Sequence, residues 1–225
     1  MMRIGILVAG HVPDEMVPQY GDYGDIFGRF LADEALTFKV YPVVDGVFPE
    51  SLDEADGWLI TGSKHGVYEP HSWIGPLEAL VRQIDEARRP LVGVCFGHQL
   101  VAQALGGRVE KFSGGWIAGP VRYRRDDLGE HHDMLAWHQD QVVEKPPAAE
   151  VVGTAEDCRY AVMRYGDHIL TFQAHPEFTP EFIADLKVLR SGLLPEPVAR
   201  NVELSGKIAD QAERAEEIRR HFLAR

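Results

Sequence analysis

A single cysteine lies between two glycines where an apolar segment gives way to a helical pattern, in Gly93-Val94-Cys95-Phe96-Gly97. Residues 90–94 indicate a short buried strand, and residues 99–105 a helix that ends at two glycines. Because the glycines let strand and helix approach closely, the spacing predicts a nucleophile elbow that presents a thiol at a helix N-terminus, where a thiolate is stabilised. The alternative interpretation is a small buried cysteine in a glycine-rich turn.

A second reactive group follows the apolar residues 168–173, in the sequence His175-Pro176-Glu177. A thiol nucleophile needs a general base, and the base needs a partner that holds its tautomer and orientation. In an extended segment residues two apart point the same way, so Glu177 is expected beside His175, with the intervening proline stiffening the link. Alone, such a sequence is an ordinary loop. Together with the elbow it predicts a catalytic set of Cys95, His175 and Glu177.

These motifs resemble those of the class I glutamine amidotransferases, whose triad is Cys, His and Glu. The resemblance covers nearly the whole chain and includes the elbow through Gln99, residues 173–177, and the 80-residue separation of Cys95 from His175. The elbow sequence, together with residues 61–68, is most similar to the stand-alone branch that includes plant γ-glutamyl peptidases. The resemblance implies hydrolysis of the γ-amide of L-glutamine, or of a γ-glutamyl compound, through a Cys95 thioester, giving glutamate and ammonia.

Attack on an amide creates an oxyanion that needs two N–H donors aimed at it. The elbow supplies the backbone N–H of Phe96. By resemblance, the second donor comes from the loop after residues 57–61, where the family usually carries Gly-Gly or Gly-Pro-Gly and this chain has Gly62-Ser63. The N–H of Ser63 is the expected donor, and a plain turn is the alternative.

The resemblance also implies a set of substrate-binding residues. Gln99 matches the glutamine that follows the family's elbow, and Gly62 belongs to the oxyanion loop. Trp137-His138-Gln139-Asp140 stands where the family has a second substrate loop, with Gln139 replacing the usual glycine. We therefore expect Trp137, Gln139 and Asp140 at the substrate; alternatively, Trp137 only packs under this loop.

The length of 225 residues predicts one glutamine amidotransferase domain spanning residues 1–225. A formal net charge of −12 argues against nucleic acid or an anionic membrane as a partner. The apolar residues 4–9 are too few for a signal sequence, and no segment is long enough to span a membrane. Because a disulfide between Cys95 and Cys158 would disable the elbow, we expect a reducing, cytoplasmic location.

Short apolar runs alternate with helical patterns through the first half of the chain. This order predicts an α/β fold with a mostly parallel central sheet and helices on both faces. The predicted strands are 3–9, 38–43, 57–61 and 91–94, and the predicted helices are 25–36, 73–88 and 97–105. A small antiparallel extension is predicted from segments 115–124, 151–154, 158–165 and 168–172, followed by a helix over 180–191. A long amphipathic segment over 198–223 follows, whose charges are interpreted as a solvated face, with docking of a partner as the alternative.

Other histidines have simpler interpretations. His131, His132 and Asp133 are assigned to a solvated loop and not to a metal site, and His98 to a structural role. No nucleotide-binding motif is found, and neither a metal nor a cofactor is predicted. The ammonia would therefore pass to a separate synthetase subunit or be released. The rival predictions are a γ-glutamyl peptidase with the same chemistry and a catalytically retired binding or regulatory protein.

Overall fold

The computed structural model describes residues 1–190, 192–203 and 211–224. The strands are β1 (Met2–Leu7), β2 (Leu36–Tyr41), β3 (Gly57–Ile60), β4 (Leu91–Val94), β5 (Arg108–Lys111), β6 (Ile117–Arg125), β7 (Glu130–His138), β8 (Asp140–Glu144), β9 (Ala149–Ala155), β10 (Cys158–Tyr165) and β11 (Ile169–Phe172). The helices are α1 (Val17–Tyr20), α2 (Tyr23–Phe30), α3 (Ile74–Glu86), α4 (Phe96–Ala104), α5 (Pro180–Leu189), α6 (Glu196–Val202) and α7 (Gln211–Leu223). None of these helices has the length and apolar character needed to cross a membrane.

Parallel strands form one half of the main sheet, in the order β2-β1-β3-β4-β11. Every residue of β3, β4 and β11 is buried, which explains why these strands read as continuous apolar runs. Helices α3 and α4 pack on one face, and α2, α5 and α7 pack on the other. The α/β class with a mostly parallel sheet is thereby confirmed.

Antiparallel strands continue the same sheet beyond β11, in the order β10-β9-β6-β7, while β5 and β8 form a separate antiparallel pair. The segment 168–172 was predicted in the antiparallel extension, but β11 is parallel to β4 on one side and antiparallel to β10 on the other. It is therefore the strand that joins the two halves.

Several sequence-based assignments need correction. The helix predicted over 25–36 ends at Phe30, because Leu36 is already the first residue of β2 and pairs with Met2 of β1. Strands β5, β7 and β8 were not predicted. Residues 131–133 do not form a solvated loop but lie within β7, where they pair with β6 and an ion pair of 2.8 Å joins Asp133 to Arg122. Such cross-strand pairing stabilises a strand whose polar composition conceals it.

The C-terminal amphipathic segment is divided: α6 ends at Val202 and α7 begins at Gln211, and residues 204–210 lie outside the described part of the chain, as does Ser191. The prediction of a solvated face was wrong for two charged residues of α7, Arg214 and Glu217, whose side chains are only 5% and 15% exposed. Glu217 accepts hydrogen bonds at 2.6 and 3.0 Å from the guanidinium of Arg125, which is fully buried, and one at 2.7 Å from Arg214. Asp127 binds the same guanidinium through two bonds of 3.0 Å. These pairs fix α7 to the antiparallel strands.

We expect Glu217→Gln to destabilise the protein by about 3 kcal/mol, because it removes a charge that compensates a buried guanidinium. Glu216→Gln is the matched control: Glu216 pairs with Arg219 on the exposed side of the same helix, and its loss should cost no more than about 0.5 kcal/mol. Urea denaturation of both variants measures the difference. Equal midpoints would mean that the buried pairs contribute no more than the exposed pair.

Candidate active site

Cys95 occupies the turn between β4 and α4 with a backbone conformation of φ 50° and ψ −101°, which a non-glycine residue rarely adopts. Its backbone N–H donates to the carbonyl of Phe172 in β11 at 2.8 Å. A Cβ on Gly97 would lie 2.4 Å from the carbonyl oxygen of Ile60, and one on Gly93 would lie 2.7 Å from the carbonyl oxygen of Gly97. Both glycines are therefore required by close backbone approach, as the elbow prediction assumed.

His175 follows β11 and is held from several sides. Its backbone N–H donates to Leu135 of β7 at 2.8 Å. The imidazole stacks on Phe178 with ring centroids 3.9 Å apart and planes 5° apart. A Cβ on Gly62 would lie 2.8 Å from Cε1 of the imidazole, so only glycine leaves room for the ring in this position. The ring orientation is thus determined by β7, Phe178 and the loop after β3.

The structure brings Cys95, His175 and Glu177 together. Nδ1 of His175 donates to Oε1 of Glu177 at 2.7 Å, and Cys95 lies near enough for its charge to act on the imidazole. Burial alone would lower the pKa of His175, but the negative charges of Glu177 and Cys95, with the hydrogen bond to Glu177, raise that pKa to about 10. The structure thus brings a thiol, an imidazole and a carboxylate together, which are the three groups that the predicted set requires.

The two predicted oxyanion donors belong to different segments, the elbow and the loop after β3. Phe96 is the first residue of α4, where a backbone N–H has no acceptor within the helix. Ser63 lies in the loop after β3 and lines the same cavity as Cys95. Its hydroxyl accepts a hydrogen bond from the N–H of His65 at 3.1 Å, so the side chain is used within the loop.

A pair of glutamines connects the elbow to the second loop. The Gln99 amide donates to the backbone carbonyl of Asp140 at 2.8 Å and to Gln173 at 3.2 Å, and Gln173 in turn donates to the sulfur of Cys95 at 3.8 Å. Gln99 is buried and therefore positions this loop. The role of Gln173 is not predicted by the sequence motif to which it belongs. The sequence does offer one signal for it: Gln173 is a polar residue directly after an apolar strand and two positions before His175, and residues two apart in an extended segment share one face.

A cavity of about 470 Å³ opens beside Cys95. Its lining includes the predicted Trp137, Gln139 and Asp140. Trp116 also lines it, and the ring centroids of Trp116 and Trp137 are 6.1 Å apart. The other lining residues include positively and negatively charged side chains, namely Lys64, Glu69, Lys111 and Arg190. This volume is within the range of small-molecule sites and suits a zwitterionic ligand.

Two other histidines near the elbow are uncharged. His98 is fully buried, its Nδ1 is 2.8 Å from the Thr171 hydroxyl, and burial lowers its pKa to about 3. This contact agrees with the structural role expected for it. His138 lines the cavity, and burial, followed by the charge of His175, lowers its pKa to about 3. Within the described residues, neither ring nitrogen of His138 has a hydrogen-bond partner.

Comparison with known proteins gives a consistent result. The family model for glutamine amidotransferase class-I matches residues 21–191. Gamma-glutamyl peptidase 4 of Arabidopsis thaliana is 31% identical over 198 residues, covering 80% of this chain and 78% of that protein. The glutamine-hydrolyzing GMP synthase of Pyrobaculum aerophilum is 29% identical over 166 residues, covering 70% of this chain and 31% of that protein. A crystal structure of a glutamine amidotransferase from Methylobacillus flagellatus superposes with a TM-score of 0.79 at 22% identity, covering 99% of this chain and 93% of that one.

Proposed function

Because the chain belongs to the class I glutamine amidotransferase family, we propose that it hydrolyses the γ-amide of L-glutamine or of a γ-glutamyl compound, with Cys95 as the nucleophile. The observation that carries this proposal is the grouping of Cys95, His175 and Glu177, in which the imidazole is affected by the charge of Cys95 and hydrogen-bonds Glu177 at 2.7 Å. A cavity large enough for a small substrate opens at the thiol.

In the proposed mechanism, the sulfur of Cys95 attacks the γ-carbonyl carbon while His175 holds the thiol proton. The oxyanion accepts hydrogen bonds from the N–H groups of Phe96 and Ser63. His175 then protonates the departing nitrogen, the C–N bond breaks, and a glutamyl thioester remains. Water, deprotonated by His175, attacks the thioester, releases glutamate and restores the thiol. Glu177 keeps the imidazole in one tautomer and stabilises its charged form.

Substrate binding is proposed for Gln99, Gly62, Trp137, Gln139 and Asp140. The Asp140 carboxylate accepts a hydrogen bond from the Tyr68 hydroxyl at 3.0 Å and offers a negative charge for an α-ammonium group. Gln99 supports the same loop by binding the Asp140 carbonyl. Gly62 acts through its small size, which leaves the imidazole in place.

A γ-glutamyl peptide is the second candidate substrate. The cavity extends from Cys95 to the aromatic pair Trp116 and Trp137, which leaves room for a leaving group larger than ammonia. The similarity of this chain to plant γ-glutamyl peptidases also supports a γ-glutamyl peptide as the substrate. With glutamine as substrate, the ammonia would be released or passed to a separate synthetase subunit. A binding protein without activity is disfavoured by the complete set of Cys95, His175 and Glu177.

We expect kcat/KM to be at least about 100-fold higher for γ-linked than for α-linked glutamyl amides, because a site that binds both polar groups of a free α-carbon rejects substrates that lack them. The measurement compares L-glutamine, a γ-glutamyl dipeptide and the matching α-glutamyl dipeptide, with the Cys95→Ala variant as a blank. A higher kcat/KM for L-glutamine would favour glutamine as the substrate, and a higher kcat/KM for the γ-glutamyl dipeptide would favour a γ-glutamyl peptide. Equal rates on γ- and α-linked dipeptides would contradict the proposed pocket.

A further inference from the structure

A second cluster of chemically active side chains lies at the rim of the cavity, in the loop between β3 and α3. His65, Glu69 and His71 each offer one potential ligand atom, and these atoms all lie within 4.8 Å of one another. All three side chains are partly buried, with exposed fractions of 21%, 40% and 37%. His65 and Glu69 also line the cavity that contains Cys95.

The distances within the cluster fit a small metal ion. Oε2 of Glu69 is 2.8 Å from Nε2 of His71 and 3.4 Å from Nδ1 of His65. In a tetrahedral zinc site with bonds of about 2.0–2.1 Å, neighbouring ligand atoms are about 3.3 Å apart. Small side-chain adjustments would therefore place all three atoms in a common coordination sphere.

Aromatic packing holds the two histidines in position. The rings of His65 and His71 are 4.3 Å apart between centroids, and His71 is nearly parallel to Trp73, 14° between planes and 5.9 Å between centroids. Trp73 is buried, and its ring centroid lies 5.5 Å from that of Phe96, the residue after Cys95. A ligand set on such a support loses little side-chain freedom when an ion binds.

We propose that His65, Glu69 and His71 bind one divalent transition-metal ion, for which Zn²⁺ is the best chemical match. Two imidazoles and one carboxylate form a common zinc ligand set that leaves a fourth position for water or another ligand. The ion would stabilise the loop that carries Ser63, because the N–H of His65 donates to the Ser63 hydroxyl. This proposal does not rest on the proposed amidase activity, since Cys95 is not one of the ligands.

The test uses the full chain with Cys95→Ser, which removes the thiolate that would compete for a soft metal ion. After dialysis against a chelator, the variant is titrated calorimetrically with Zn²⁺ and, separately, with Co²⁺ while its visible absorption is recorded. We expect one ion per chain, with the absorption of tetrahedral Co²⁺ and no thiolate charge-transfer band. The absence of saturable 1:1 Zn²⁺ binding would overturn the proposal.

Further substitutions in the same background locate the ion. His65→Ala, His71→Ala and Glu69→Gln should each weaken Zn²⁺ binding by about 100-fold or more, whereas His131→Ala, at an exposed histidine of β7, should leave the affinity unchanged. Thermal melts without metal verify folding, and the isosteric Glu69→Gln variant keeps the test decisive if an alanine variant fails to fold. Unchanged affinity in Glu69→Gln and the folded histidine variants would overturn the proposal.

Discussion

Replacing Cys95 with alanine is expected to lower kcat for glutamate release by about 10⁴-fold or more, because no other group in the cavity can form the thioester. The thiol is placed by an elbow whose geometry depends on the backbone at Gly93 and Gly97 and not on the cysteine side chain, so the variant should melt normally. The measurement is steady-state glutamate production by wild type and variant, each with a thermal melt. Full activity in Cys95→Ala would contradict the proposed mechanism.

Covalent labelling tests the same prediction independently. A glutamine-like chloroketone should add one inhibitor mass to the intact protein, and peptide mapping should find it on Cys95. Cys158 offers an internal control, because it is buried at the start of β10 and burial raises its pKa to about 12. Cys158→Ala should therefore label like wild type. Labelling confined to Cys158 would mean that Cys95 is not the nucleophile.

Replacing Glu177 with glutamine is expected to reduce kcat about 100-fold, which corresponds to about 2.7 kcal/mol of transition-state stabilisation. The substitution keeps the size of the side chain but removes the negative charge 2.7 Å from Nδ1 of His175 and permits the wrong tautomer. The same charge contributes to the raised pKa of His175, so its loss should lower that pKa. Measurement of kcat across pH with the γ-linked substrate detects both effects.

Glu181 provides the matched control for this substitution. It is an exposed carboxylate in the first turn of α5, and Glu181→Gln should leave kcat unchanged. Adding Glu177→Gln to His175→Ala should reduce the rate little further, because the two residues act as a unit. A normally folded Glu177→Gln protein with near-wild-type turnover would require a different orienting carboxylate.

Local sequence is sufficient to locate the elbow and the His175-Pro176-Glu177 segment, because each depends on residues within a few positions. Gly93 and Gly97 are required by backbone distances that follow directly from a tight strand-to-helix turn. The parallel strands can also be predicted from the sequence, because burial on both faces of the sheet requires continuous apolar segments. The fold class could therefore be predicted without knowledge of the three-dimensional contacts.

The features that escaped prediction depend on partners distant in the chain. Strand β7 alternates poorly because Asp133 is stabilised by Arg122 across the ladder. Glu217 reads as a solvated helix residue until α7 is placed against the buried guanidinium of Arg125, 92 positions earlier. Gln173 contacts Gln99 and Cys95, which lie 74 and 78 positions earlier in the chain.

The position of β11 between β4 and β10 also determines the order in which the protein can mature during synthesis. Strand β4 can pair with β3 early, but its other edge must await residues 169–172. Until they emerge, the amide of Cys95 lacks its acceptor at Phe172 and the proposed base, His175, is not yet part of the chain. Such a late, non-local pairing is a slow event in folding, and it leaves an apolar strand edge open to other chains. A nascent chain that stops before β11 should therefore be aggregation-prone and chemically inert, and catalytic competence should arise only when this last parallel strand is inserted.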